Sequence, residues 1–148
     1  MVTLVPIDDG NRAAIEALRT ASAQERFVST VTDSMQEAIE EPGARAIQWG
    51  VYDGETPVGF VMIADEVDGE DYIAHYLWKL LIDERFQRQG YGTATLDQIV
   101  AYFRARGVDV LTTSAQQGDG SPIPFYEGYG FENTGEIHDG EVVLRLRL

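Results

Sequence analysis

The chain has 148 residues, with 25 acidic side chains against 11 basic ones and a formal net charge of −14. This length predicts one domain, residues 1–148, and the 44% of hydrophobic residues suffices for a core. A chain this acidic repels nucleic-acid phosphates and favours cationic partners. The absence of cysteine excludes disulfides, thiolate metal sites and a cysteine nucleophile.

The N-terminal segment has neither the basic nor the apolar region of a signal peptide. No apolar run approaches the roughly 18 residues that a membrane span requires. We therefore expect a cytoplasmic protein that binds neither membrane nor nucleic acid and uses no metal.

The first half of the chain predicts a strand, two helices and a hairpin. Asp33 is the expected N-cap of the second helix, and Asp53-Gly54 supplies the hairpin turn. The predicted elements are a strand over residues 2–7, helices over 13–21 and 33–40, and hairpin strands over 44–52 and 56–64.

The second half begins with an acidic run at residues 65–71, which is either a solvated connection or a rim that attracts a cationic substrate. The order of all the elements predicts one α/β domain with a mixed sheet. The elements predicted after the acidic run are a strand over 72–82, a helix over 90–106, a strand over 108–114, a short helix over 123–127, and a hairpin of 131–138 with 141–148.

The segment that carries chemistry is Gln87-Arg88-Gln89-Gly90-Tyr91-Gly92-Thr93, between a strand and the strongest helix. Glycine lets the backbone approach a ligand, and the free N–H groups at a helix start bind anions, so a pyrophosphate fits there. Arg85 and Arg88 can add positive charge. The residues match neither a Walker loop nor a Rossmann fingerprint, and glycines that only form a tight turn are the alternative.

Residues 87–92 match the acetyl-CoA signature Gln/Arg-x-x-Gly-x-Gly/Ala of the GNAT superfamily of N-acetyltransferases. Residues 125–131, Phe-Tyr-Glu-Gly-Tyr-Gly-Phe, are similar to its later motif. Within the superfamily, residues 77–87 and 24–28 most resemble bacterial spermine/spermidine (diamine) acetyltransferases. The resemblance implies a single-domain GNAT fold, a mixed and mostly antiparallel sheet of six to seven strands with about four helices.

The resemblance also implies the site. Backbone groups of Leu80 and Ile82 would bind the pantetheine arm, a backbone N–H near Ile82 would steady the oxyanion, and the amides of the glycine motif would hold the pyrophosphate. Tyr126 matches the tyrosine that protonates the departing thiolate. The residues implied to contact acetyl-CoA are Leu80, Leu81, Ile82, Gln87, Arg88, Gln89, Gly90, Tyr91, Gly92, Thr93, Asp119 and Tyr126.

Two features depart from the family pattern. Asp119 stands where many members have asparagine, and Tyr76 stands where some relatives carry a glutamate that acts as the general base. The amine proton would then leave through ordered water or be taken by Glu25.

The acceptor is expected to contact Gln24, Glu25, Phe27, Tyr76 and Trp78. Strict alternation along the strand places Tyr76, Trp78 and Leu80 on one face. A place for Trp78 in the core is the alternative.

The leading function is acetyl transfer from acetyl-CoA to a small amine, with a polyamine as the first choice. The alternatives are an amine antibiotic, a protein N-terminus, or a non-catalytic acyl-CoA binding or sensing module. A homodimer is expected from the resemblance.

Overall fold

The computed structural model describes residues 1–65 and 75–148. Seven strands form one mixed sheet in the order β1-β2-β3-β4-β5-β7-β6. The strands are β1 Val2–Pro6, β2 Ala46–Asp53, β3 Thr56–Ala64, β4 Tyr76–Ile82, β5 Val110–Ala115, β6 Glu132–His138 and β7 Glu141–Arg147. The described α-helices are α1 Arg12–Glu16, α2 Val31–Glu40, α3 Tyr91–Ala105 and α4 Ile123–Tyr129.

The predicted α/β fold is confirmed, including the order of its elements. β4 and β5 are the parallel pair at the centre of the sheet, and the other neighbouring strands are antiparallel. Asp65 is the described part of the predicted acidic rim, and it is buried and paired with His75 and Arg106, each at 3.1 Å. The other residues of the rim and the first residues of the strand predicted over 72–82 lie outside the described residues.

Helices cover both faces of the sheet and make two hydrophobic clusters. On one face, α3 and α4 pack on the sheet, with Leu96 and Phe103 fully buried. On the other face, Ile15 of α1 and Met35 of α2 pack against Phe60 of β3. Each cluster buries large apolar side chains, which is the main source of stability in a domain of this size.

The first helix is shorter than the prediction of residues 13–21. The chain leaves α1 after Glu16 because the backbone of Arg19 is paired elsewhere. Its N–H donates to Asp83 Oδ2 at 3.0 Å, and its carbonyl accepts from Glu84 N at 2.8 Å. These partners lie just after β4, so tertiary contacts take the backbone groups that another helical turn would use.

The predicted N-cap of the second helix is wrong. Thr30 holds that position, and its hydroxyl accepts from Asp33 N at 3.1 Å. Asp33 instead lies in the first turn, where a carboxylate is favoured by the helix dipole.

None of the helices among the described residues has the length and apolar character that a membrane crossing requires. In the same part of the chain, no group of three or more His, Asp or Glu side chains is placed to hold a metal ion.

Candidate active site

A groove opens where β4 and β5 separate. The two parallel strands are paired at Tyr76 and Thr112, and beyond this point they diverge. A register shift in the pairing of β3 with β4 makes Trp78 an additional residue of β4, because Met62 pairs with Lys79 and Ile63 with Leu77. Such a bulge bends its strand. The β5-facing edge of the last residues of β4 is therefore available to a ligand.

The groove has a volume of about 640 Å³ and extends along the end of β4 to the start of α3. It brings together most of the residues predicted to contact acetyl-CoA. Those that line it are Leu80, Leu81, Ile82, Gln87, Arg88, Gly90, Tyr91, Gly92, Thr93 and Tyr126. Gln89 and Asp119 are exposed and lie outside this lining, although Gly120 and Ser121 belong to it.

The glycine motif forms the start of α3. Gly90 is the N-cap with φ +87°, and Arg88 also has a positive φ of 63°. These left-handed residues turn the chain sharply, so that the first amides of α3 face the groove without a side-chain cap. An anion is favoured at such a helix start.

Side chains of the motif also fix the frame around the groove. The amide of Gln87 donates to Ile82 O and to Gln24 Oε1, both at 2.9 Å. The Tyr91 hydroxyl donates to Asp53 Oδ2 at 2.6 Å, which raises the pKa of Tyr91 and lowers that of Asp53. Gln87 and Tyr91 thus tie the motif to the strands beside it.

The two arginines of the segment have different surroundings. Arg88 is exposed and lines the groove, where it can meet a phosphate. Arg85 donates from Nε to Asp83 Oδ1 at 2.8 Å. The charge of Arg85 therefore balances a buried carboxylate.

The loop between β5 and α4 closes one side of the groove. At Gly120, φ is +89°, and a Cβ atom would lie 2.6 Å from Ala23 O. Only glycine fits this approach to the short 3-10 helix Ser22–Gln24. Pro122 holds the N-cap position of α4, and Ser121 Oγ accepts from Ile123 N at 3.2 Å.

Tyr126 enters the groove from α4. Its side chain is buried, and its phenol lies near Thr113 of β5. Burial is the largest cause that raises the pKa of Tyr126, and nearby Tyr76 and Glu141 raise it further. The phenol is therefore protonated at neutral pH and has a proton to donate.

A second cavity of about 560 Å³ adjoins the groove, and Thr20, Val28 and Leu81 line both. Two of the predicted acceptor residues, Glu25 and Phe27, line this cavity. Its charged lining consists of four acidic and three basic side chains: Glu25, Asp33, Glu37, Glu141, Arg19, Arg26 and Lys79. We call it the acceptor cavity.

The other predicted acceptor residues lie around this cavity rather than in its lining. Gln24 lines the groove, and Trp78 packs beside the cluster of α1 and α2. Leu80 packs against the opposite cluster, so the expectation that Trp78 and Leu80 share a face is wrong. The additional residue in β4 reverses the alternation. The Tyr76 hydroxyl is hydrogen-bonded to Ser114 Oγ of β5.

The chain matches the family model of the acetyltransferase (GNAT) family over residues 12–131. It belongs to the GNAT family. This membership confirms the prediction of an N-acetyltransferase that uses acetyl-CoA as cosubstrate. A search of curated proteins found no match.

Solved structures share the fold at low identity. The GNAT domain of S. lividans PAT aligns with a TM-score of 0.73 at 16% identity, over 99% of this chain and 89% of that one. The ribosomal-protein-S18-alanine N-acetyltransferase from Escherichia coli aligns with a TM-score of 0.65 at 17% identity, over 99% of this chain and 94% of that one. A GNAT family acetyltransferase from Elizabethkingia anophelis with acetyl-CoA bound aligns with a TM-score of 0.67 at 12% identity, over 99% of this chain and 98% of that one.

Sequence reasoning missed three residues around this GNAT groove. Asp83 and Thr20 fix the segment that leads into residues 25–28, which line the acceptor cavity and which we call the acceptor loop. Glu141 lines the same cavity from β7. For Asp83 a signal existed, since an Asp that directly follows an apolar strand is a turn or cap residue. No sequence signal pointed to Glu141, because its position depends on the pairing of β5 with β7, which joins residues far apart in sequence.

Proposed function

We propose that this protein transfers the acetyl group of acetyl-CoA to a primary amine of a small cationic acceptor, with a polyamine such as spermine or spermidine as the first choice. The observation that carries the proposal is that the groove and the acceptor cavity adjoin each other. The groove at the start of α3 meets a cavity that is lined by four carboxylates and three basic side chains.

The composition of the acceptor cavity supports a cation. Lys79 lies 2.8 Å from Glu37 Oε2 and donates to Ser29 Oγ at 3.0 Å, so its charge is paired within the cavity wall. Three other carboxylates line the same space, those of Glu25, Asp33 and Glu141. Two other basic side chains, those of Arg19 and Arg26, also line it, so the charged lining has one carboxylate in excess. A flexible chain with several ammonium groups can contact more than one of them at once.

The chemistry that we propose is direct attack of a neutral amine on the thioester. The free edge of β4 would bind the pantetheine arm, and a backbone N–H near Ile82 would stabilise negative charge on the carbonyl oxygen. Tyr126 would give its proton to the departing sulfur, as general acid. Glu25 lines the acceptor cavity, so it is one of the two routes for the amine proton that the sequence leaves open, and ordered water is the other.

The test is an acetylation screen with acetyl-CoA, in which release of the CoA thiol is measured for a panel of amines. We expect turnover with spermine or spermidine, weaker turnover with a monoamine of similar length, and none with an anionic amine. Turnover of a different amine class alone contradicts the polyamine proposal. CoA binding without turnover of any amine would instead show a binding module.

The role of Tyr126 is tested by Tyr126→Phe, which removes the proton and keeps the ring. General acid catalysis typically contributes about 10²- to 10⁴-fold, so we expect kcat to fall by about that factor. Tyr129→Phe is the matched control in the same helix, since its hydroxyl donates to Asp97 at 2.7 Å, away from the groove. An equal kcat for Tyr126→Phe and wild type contradicts the role.

A further inference from the structure

The acceptor side of the groove contains a hydrogen-bonded chain that the sequence did not reveal. Ser114 Oγ donates to Glu141 Oε1 at 2.6 Å. Because the serine proton is used in that bond, the Tyr76 hydroxyl is the donor in its bond to Ser114 Oγ. The chain therefore begins at the phenol of β4, passes through β5 and ends at a carboxylate of β7.

The topology of the sheet explains why this carboxylate lies at the reaction centre. β7 is antiparallel to β5, and Val142 pairs with Ala115, so β7 begins beside the end of β5. That end is where β4 and β5 have separated to form the groove. Alternation places Glu141 on the face opposite Val142, and Val142 packs in the cluster of α3 and α4. Glu141 is therefore on the acceptor face.

Two further observations place Glu141 near the chemistry. It lines the acceptor cavity together with Glu25 and Leu81, and Leu81 also lines the groove. Its charge also affects the phenol of Tyr126, which enters the groove from the other face. The thioester in the groove and the amine in the cavity would meet between Tyr126 and Glu141.

We propose that Glu141 is the catalytic base for the acceptor amine, held in place by Ser114 and Tyr76, which are positioning residues. This inference rests on the proposed function and names the group that takes the proton. The phenol of Tyr76 is linked through Ser114 to this carboxylate on another strand.

The proton and electron balance is complete without another reactant. The acceptor ammonium gives one proton to Glu141, which releases it to water. The neutral nitrogen then forms a bond to the carbonyl carbon as the carbon–sulfur bond breaks, and the sulfur takes the phenolic proton of Tyr126. The second proton that the nitrogen loses on becoming an amide restores the phenol.

The charged and titratable groups around Glu141 come from several elements. They are Arg19, Glu25, Arg26, Asp33, Glu37 and Lys79 around the cavity, Tyr76 of β4, Tyr126 in the groove, and His138, the partner of Glu141 in β6. Burial raises the pKa of Tyr76 to about 12 and also raises that of Tyr126. Neither phenol therefore ionises over the pH range of the test below.

The test is the pH dependence of kcat/KM for the polyamine, in wild type and in Glu141→Gln. At pH 7 we expect the variant to lose about 10²-fold or more, the range for a general base. The deficit should narrow as the pH approaches about 10, where an alkylammonium loses its proton without help. An unchanged rate, or a deficit of the same size at every pH, overturns the proposal. Glu132→Gln, an exposed carboxylate on β6, is the matched control.

Ser114→Ala gives an independent result, and it decides the proposal if Glu141→Gln does not fold. Without the serine donor, the carboxylate is no longer held in place, so kcat should fall, and Ser114→Thr, which keeps a hydroxyl donor, should restore it. A kcat for Ser114→Ala equal to that of wild type overturns the proposal. Calorimetric binding of CoA to each variant separates loss of the base from loss of the groove. If wild type binds CoA and acetylates no amine, the proposed function itself is wrong.

Discussion

Asp83 shows how one buried side chain fixes the border of the site. Its carboxylate is 5% exposed and accepts from the backbone N–H groups of Arg19 and Arg85 and from the Arg85 guanidinium, at 3.0, 3.0 and 2.8 Å. Burial acts to raise the pKa of Asp83, but these hydrogen bonds outweigh it and lower the pKa below its ordinary value. The residue joins the end of β4 to the segment that leads into the acceptor loop.

Asp83→Asn should therefore destabilise the fold. The amide cannot accept all three hydrogen bonds, and bonds to a charged group contribute about 1.5–3 kcal/mol each, so we expect a loss of about 2 kcal/mol. Urea unfolding at pH 7 measures this change. Glu84→Gln, the exposed neighbour, is the control and should change stability by less than about 0.5 kcal/mol.

The same residue predicts a pH dependence. Its pKa is lower in the folded state, so its contribution is present above the unfolded value of about 3.9 and is lost as the pH falls through the folded pKa. The difference in stability between wild type and Asp83→Asn should thus shrink below about pH 4. A difference that is constant from pH 7 to pH 3 contradicts this account.

At the scale of elements, the groove depends on a fit between the β5–α4 loop and the 3-10 helix Ser22–Gln24. Gly120 of this loop approaches the carbonyl of Ala23, and the amide of Gln87 holds Gln24 from the opposite side. The 3-10 helix is therefore fixed by contacts from two distant segments. These contacts therefore also position the acceptor loop, which follows the 3-10 helix.

Gly120→Ala should disturb this fit. The left-handed conformation costs about 1–2 kcal/mol for a residue with a Cβ, and the clash with Ala23 O forces the loop outward. We expect KM for acetyl-CoA to rise severalfold in steady-state assays, with a lower melting temperature.

Gly128→Ala is the matched control for this substitution. Its Cβ would meet no atom within 4 Å, and alanine favours the helical conformation of α4. Its KM for acetyl-CoA should equal that of wild type. An unchanged KM in Gly120→Ala would show that the loop does not shape the groove.

At the scale of the whole molecule, the net charge of −14 would act in opposite directions on acetyl-CoA and on the polyamine that we propose as acceptor. It would attract a polycation and repel the CoA phosphates, which the start of α3 and Arg88 would attract locally. Salt screens both effects, because the Debye length falls from about 10 Å at 0.1 M to about 3 Å at 1 M.

Raising the salt concentration should therefore lower kcat/KM for spermine severalfold and leave that for an uncharged-tail monoamine nearly constant. Initial rates at fixed, saturating acetyl-CoA measure this difference. A rate with spermine that does not fall with salt would show that the molecular charge does not assist binding of the acceptor.

The sequence by itself determined the fold class and predicted where acetyl-CoA would bind, because local patterns encode both. The periodicity of residues 91–105 specifies a helix, and Gly90 with Gly92 predicts an anion-binding site at its start. The hairpin turns at Gly54 and Gly140 were equally readable, since each glycine has the positive φ that the turn requires.

Only the tertiary structure decided the acceptor side. The bulge at Trp78 depends on the pairing of β4 with β3, and the shortening of α1 depends on Asp83. Likewise Glu141 lies beside Ser114 only because β7 pairs with β5. These contacts join residues distant in sequence, so no local pattern encodes them, and they place the carboxylates that would receive the amine.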